Sequence, residues 1–170
     1  NAQAALAEAD EVWTELEMSP EADAEAQALV IRLGMAPADD PLSGHLTEEE
    51  NARLAALAQR YNVPVSYLDR MRPWLAALTL TILPLRQAGY AEDAGVDRAI
   101  DAAADAQGKT RRAFESVEEQ LNFLAGMSPD LQHQMLVEAI AETEDGAAQL
   151  DTLSAAWRTG DLDALDRYVI

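Results

Sequence analysis

Four helix-start signals are spread along the chain, and they constrain its fold more than any other feature. In two of these signals, a favoured N-cap serine is followed by proline at the first helical position. The other two have the spacing of a capping box. They lie at residues 19–20, 128–129, 47–50 and 116–119. Each precedes a stretch rich in Ala and Leu, which favour helix. The sequence therefore predicts a mainly α protein with seven or eight helices.

The helix boundaries follow from apolar periodicity and from glycine and proline positions. Pro73 either begins a helix or kinks the preceding one, Pro84 is expected to bend the most apolar helix, and Gly146 is a candidate weak point in the last long helix. Residues 35–44 predict a loop, and Ser66 is expected to cap a short helix. The longer predicted helices cover residues 4–10, 20–33, 48–61, 74–87, 96–107, 118–125, 129–159 and 162–169.

Two short segments are candidate β-strands. Residues 12–18 alternate apolar and polar side chains, whereas the signal at residues 109–115 is weaker because it includes Arg111 and Arg112. Two strands are marginal as an independent sheet, and helices flank both segments as they do in α/β proteins. We therefore expect a mainly α, multi-helix domain with at most two short strands. It would be a fragment of an α/β parent fold, with the sheet completed by further chain or a second molecule.

The start of the chain bears on its extent. Asn1-Ala2 resembles the remnant of a cleaved tag, which leaves a single helical domain over residues 3–170. A native sequence that begins at Gln3 would start inside a helical pattern. We therefore expect a piece trimmed from a longer protein. A chain of this length can bury a sizeable core.

The charge of the chain disfavours several partners. Its net charge is −19, so it repels phosphate backbones and acidic lipid surfaces, and no nucleic-acid partner is expected. The longest apolar run, residues 75–85, is shorter than the roughly 20 residues of a transmembrane helix, which predicts a buried helix and no membrane span. The absence of cysteine excludes disulfides and thiolate chemistry.

Few residues suggest chemistry. His45 and His133 belong to no metal-ligand spacing and are interpreted as surface residues, and no nucleotide-binding or nucleophile-elbow motif is present. Glu15 lies inside the first candidate strand and Glu115 ends the second. Acids at strand ends often bind ligands or catalyse. The alternative is that both are outward-facing or helix-capping residues.

Five segments in order along the chain resemble motifs of the TraB/GumN family, of which the animal Tiki proteases look like distant relatives. The first, residues 7–17, resembles a helix end followed by an acid-bearing strand. The others resemble Arg-x-Pro-Trp, Ala-Gly-Tyr with Gly-Val-Asp, Leu-Glu-Thr-x-Glu-Glu-Gln-Leu and Trp-x-x-Gly-Asp-x-x-x-Leu. They lie at residues 71–75, at 87–90 with 95–97, at 114–121 and at 157–165. The resemblance covers nearly the whole chain.

The resemblance implies an α/β protein with a helical insertion and a metal site that combines two Gly-x-x-His motifs with strand acids. A divalent metal (manganese, cobalt or zinc) would activate water there for hydrolysis of an amide or similar bond. The acids match Glu15 and Glu115 by position. No Gly-x-x-His occurs in this sequence. The resemblance therefore implies an interior fragment of a bacterial, often exported hydrolase, inactive by itself and without a complete metal or cofactor site.

Two other functions stay open. The chain is alternatively a non-catalytic interaction module of the same family that binds a peptide or protein partner, or an unrelated helical scaffold. A fragment exposes apolar surface, for which Trp13, Phe114 and the helix over residues 75–85 are the candidates. We therefore expect a homodimer, formed through strand pairing or swapping.

Overall fold

A computed structural model describes residues 2–91 and 95–169; Asn1, half of the expected tag remnant, lies outside them. The prediction of a mainly α protein with two short strands is confirmed, since 69% of the chain is helical and the two strands form one parallel sheet. The elements are α1 (Ala2–Glu8), β1 (Glu11–Leu16), α2 (Pro20–Gly34), a 3₁₀ helix (Leu42–His45), α3 (Glu48–Arg60), α4 (Val65–Leu68), α5 (Pro73–Gln87), α6 (Val96–Ala106), β2 (Thr110–Glu115), α7 (Val117–Ala125), α8 (Pro129–Thr159) and α9 (Leu162–Val169).

The chain divides into two compact units. The first consists of Asn1–Met35 and Tyr90–Ser128, and the second of Ala36–Gly89 and Pro129–Ile170. Each unit thus combines two separate stretches of sequence. The expected single domain over residues 3–170 stays a prediction.

The first unit is built on the strand pair. Glu11 lies opposite Thr110 and Leu16 opposite Glu115, and α6 packs against both strands. Side chains alternate between the two faces of a strand, and in β1 the exposed positions, beginning at Glu11, alternate with half-buried ones, beginning at Val12. On the half-buried side, Arg111 donates to the buried carboxylate of Asp101 on α6 at 2.8 Å. One sheet face is therefore covered by α6 and the other is open.

The basic segment over residues 109–112, which precedes Glu115, is compatible with a strand because each of its cationic side chains has a partner. Lys109 Nζ donates to the backbone carbonyls of Ala7 and Ala9, at the end of α1. Arg111 also contacts Asp105, and Arg112 pairs with Glu11 across the sheet. The run therefore connects α1, β1, β2 and α6 and does not interrupt the strand.

The second unit is held together by α5 and α8, which pack against each other, with α3 beside α8. Arg53 on α3 makes a bidentate pair with Glu144 on α8, with N–O distances of 3.0 and 2.7 Å, and this guanidinium lowers the pKa of Glu144. The largest fully buried side chains of the unit are Trp74, Leu42, Leu57, Leu68, Leu80, Leu136, Ile140 and Thr143. Two of the family-like motifs contribute here: Trp74 is core, and Asp161 caps α9 by accepting from the Ala164 amide.

Several boundaries differ from expectation. The predicted loop ends in the 3₁₀ helix, and Ser66 does not cap α4, which follows Pro64 without a side-chain cap. Strand β1 ends at Leu16 because its last partner, Glu115, is followed by Ser116, whose side chain accepts from the Glu119 amide and begins α7. Pro73 begins α5 and does not kink the preceding helix.

Helix α8 continues through Gly146, the expected weak point. A Cβ at this position would lie 3.4 Å from Cγ of Pro84 on α5. The missing side chain therefore allows close approach between the two helices.

Across residues 2–91 and 95–169, no helix combines the length and apolar character that a bilayer crossing requires.

Candidate functional site

Glu15, the first acid singled out from the sequence, is positioned on the open face of the sheet. Its neighbour two positions earlier on β1, Trp13, is 47% exposed and shares that face. The side-chain amide of Gln120, on α7, donates to Glu15 Oε1 at 2.6 Å. The Glu15 carboxylate is therefore fixed in orientation by a residue far away in sequence.

The start of α7 positions Gln120. Ser116 and Glu119 form a capping box, in which the Ser116 hydroxyl accepts from the Glu119 amide at 3.2 Å and the Glu119 carboxylate accepts from the Ser116 amide at 2.9 Å. The Ser116 hydroxyl also donates to the Glu119 carboxylate at 2.8 Å, and the bonds that this carboxylate accepts from the Ser116 backbone N–H and hydroxyl lower the pKa of Glu119. The nearby Glu118 carboxylate contacts Arg32 on α2, which packs against α7. The segment that resembles Glu-Glu-Gln-Leu thus fixes the helix start and aims Gln120 at Glu15.

Glu115, the second acid, lies on the opposite face by register. It pairs with Leu16, and the alternation of side chains places Leu16 and Glu15 on different faces. Glu115 lines an open cavity of about 630 Å³ with Phe114, Glu119, Gln120, Phe123 and Leu124. Gln120 therefore lies beside both predicted site residues, since it lines the cavity that contains Glu115 and donates a hydrogen bond to the Glu15 carboxylate. Among the described residues, no side chain bonds to the Glu115 carboxylate.

The acids of this unit do not make a metal site by themselves. Among the side chains that the structure describes, no three His, Asp or Glu residues are grouped so that they could hold an ion. The described residues therefore do not complete the metal site that the family resemblance implies, and Glu15 could supply only part of it. Any such site would need ligands additional to Glu15.

The open face of the sheet also presents aromatic surface. The rings of Trp13 and Phe114 lie 5.0 Å apart between centroids, and the Arg112 guanidinium lies 5.6 Å from the centre of the Trp13 ring. Phe114 is 72% exposed and Phe123, on α7, is 71% exposed. We call Trp13, Phe114 and Phe123 the aromatic face.

The prediction of exposed apolar surface is correct for the two strand aromatics and wrong for the helix over residues 75–85, which is largely buried as its apolar run indicated. In α5, Leu75, Leu80 and Leu83 are buried, because α5 packs against α8. The error arose from treating an apolar helix as a surface that needs a missing partner. Its partner is α8.

Sequence reasoning also missed two features of the structure. Gln120 was part of the quoted family-like segment, and that segment was the only signal for its role. His45 and His133 were interpreted as isolated surface residues; both are part-exposed, but they line the same cavity in the second unit. Their convergence has no signature in sequence spacing.

These features define a helix-rich protein with an acid-bearing parallel strand pair, in which a side chain from the following helix holds the strand acid. A family model described as the TraB/PrgY/gumN family matches residues 1–169, nearly the whole chain. The chain therefore belongs to the TraB/PrgY/gumN family, as the sequence motifs indicated. Comparison with curated proteins and with solved structures gave no match.

Proposed function

We propose that this chain contributes the acid-bearing strand pair of a metal-dependent hydrolase, and that it is inactive by itself because its site requires residues from a longer parent protein. One observation carries the proposal, namely the hydrogen bond from Gln120 to Glu15 at 2.6 Å. Carboxylates that serve in metal sites are themselves hydrogen-bonded by neighbouring groups. The bond fixes one oxygen of Glu15, so the carboxylate is already oriented before any ligand arrives.

The small size of the sheet supports the proposal that the site is incomplete in this chain. Within residues 2–91 and 95–169 the sheet has only β1 and β2, so each strand has one unpaired edge. An isolated two-stranded sheet is marginal, and additional strands would stabilise it. Such strands are a natural source of the missing ligands. Glu115, the second acid predicted for this site, ends β2, but we propose a lesser role for it because the register places it on the opposite face of the sheet from Glu15.

The direct test is calorimetric titration of manganese, cobalt and zinc ions into this chain and into its parent protein. We expect tight binding of one equivalent by the parent and no tight binding by the chain. Tight binding by the chain alone would contradict the incomplete site. The absence of binding by the parent would contradict the metal-dependent hydrolase.

A second function, a non-catalytic interaction module, is favoured by the aromatic face. Three large aromatic side chains on one strand pair and its following helix are substantially exposed. Such clusters are typical of surfaces that bind protein partners. We propose that in the isolated chain this face and the adjacent strand edge support a homodimer, and that a peptide or protein segment can occupy the same surface.

Replacing Phe114 by Ser tests this second function. We expect the wild-type chain to be dimeric by light scattering at high concentration and the dimer Kd of the variant to rise at least about tenfold, because an interface aromatic is removed. Tyr67→Ser is the control, since Tyr67 is also exposed, at 53%, but lies on α4 in the other unit. A monomeric wild-type chain, or an equal effect of both substitutions, would contradict the dimer on this face.

A further inference from the structure

A cavity in the second unit brings together side chains that the proposed hydrolase does not use. Its volume is about 570 Å³, which lies within the range of small-molecule sites. The starts of three helices contribute to it, through Thr47 before α3, Pro73 in α5 and Pro129 in α8. Pro37 and Met71 add further apolar wall. The cavity therefore has a mainly apolar wall of the kind that binds the hydrocarbon part of a ligand.

Both histidines of the chain lie in this cavity, and each is paired with a carboxylate. His45 Nε2 is 2.7 Å from Asp40 Oδ1, and His133 Nε2 is 3.3 Å from Glu50 Oε2. The backbone N–H of Thr47 is the main cause that lowers the pKa of Glu50, with smaller contributions from the Thr47 hydroxyl and His133. These pairs fix the orientation of the two rings on the cavity wall.

Arg72 supplies a positive charge that the rest of the described chain does not neutralise. It lines the cavity and is exposed, and among the described residues no hydrogen bond or ion pair to its guanidinium is found. A planar guanidinium binds a carboxylate through two parallel hydrogen bonds.

We propose that this cavity binds a small organic monocarboxylate, with the carboxylate on Arg72 and the hydrocarbon body against Pro37, Met71 and the adjacent prolines. Among the described residues, Arg72 is the one arginine or lysine in the cavity wall and is the group that would attract a carboxylate. Asp40 and Asp130 carry negative charge in the wall, so they repel a dianion such as phosphate more strongly than a monoanion. An amine would leave Arg72 without a partner. This site is independent of Glu15 and of the proposed hydrolase.

The histidine rings provide a direct test, because the chain has only two histidines and both lie at the cavity. We would titrate hexanoate into the intact chain and follow the ring C–H signals of both residues by NMR. Hexanoate is expected to shift them saturably. Arg72→Gln is expected to raise the Kd at least about tenfold, since a charge-assisted pair is lost.

Arg70→Gln is the matched control. Arg70 is exposed like Arg72 and two residues away, but it does not line the cavity. This variant removes the same charge and should keep the Kd within about twofold. Phosphate and hexylamine should give weaker shifts than hexanoate. The proposal is overturned if hexanoate shifts neither histidine, if both variants weaken binding equally, or if phosphate binds as tightly as hexanoate.

Discussion

Replacing Glu15 by Gln in the longer parent protein that we propose is expected to weaken its affinity for a divalent metal at least about 100-fold, because the substitution removes a carboxylate that is pre-oriented for binding. Gln120→Leu should weaken the affinity about 10- to 100-fold, as is typical when a supporting hydrogen bond to a ligand is removed. In the structure this residue donates to Glu15 at 2.6 Å. Both affinities are measured by calorimetric titration.

Glu11→Gln is the control for these variants. Glu11 lies on the same strand and face as Glu15, but its carboxylate is engaged by Arg112 and by the indole N–H of Trp13. We expect its substitution to change metal affinity by no more than about threefold, since it alters only the nearby charge. Glu115→Gln should have a smaller effect than Glu15→Gln, because the register places Glu115 on the other face. Equal losses for Glu11→Gln and Glu15→Gln would indicate a general charge effect and contradict a specific role of Glu15.

The largest effect on stability is expected from Leu136→Ala in the second unit. Leu136 is fully buried on α8, which packs against α5. Truncation of a buried leucine removes its transfer free energy and leaves a cavity, which costs about 2–5 kcal/mol. The measurement is urea unfolding followed by far-UV circular dichroism, with the free energy of unfolding taken from the transition of this unit.

Leu131→Ala provides the matched comparison. It is the same substitution on the same helix, but Leu131 is 55% exposed. Its effect on the free energy of unfolding should stay within about 0.5 kcal/mol. A small effect of Leu136→Ala, or similar effects of both variants, would show that α8 does not pack as the structure describes.

Much of the helical architecture could be predicted from the sequence because helix starts are determined locally. Ser19 accepts from the Ala22 amide, and Thr47 and Ser116 form the expected capping boxes. Ser66 failed as a cap because the preceding Pro64 takes the N-cap position of α4. A serine followed by an acid three residues later is therefore a useful signal only where the backbone leaves the serine at the helix boundary.

The strands could be predicted as elements, but their relation could not. Alternation within residues 12–18 shows that a strand has two faces, whereas the pairing of Leu16 with Glu115 is a long-range contact. That register decides that Glu15 and Glu115 emerge on opposite faces. Single-sequence periodicity carries no information about register, so the two acids could be named from the sequence but not placed relative to each other.

The side-chain contacts within the candidate sites could not be predicted from the sequence either. The family resemblance identified Glu15 and contained Gln120, but only the fold of α7 onto the strand pair reveals the bond between them. Likewise, no spacing links His45 to His133, which lie in a 3₁₀ helix and in α8 and meet at one cavity. Local patterns determine where helices begin, whereas chemistry at a site depends on which distant residues the packing brings together.

The role of Glu15 in metal binding is tested most directly by anomalous X-ray diffraction from crystals of the proposed parent protein that contain zinc or cobalt. We expect a single strong anomalous peak at the Glu15 carboxylate, with the hydrogen bond from Gln120 to Glu15 retained. A peak elsewhere in the protein, with Glu15 exposed to solvent and free of metal, would contradict the assignment of Glu15 to a metal-dependent site.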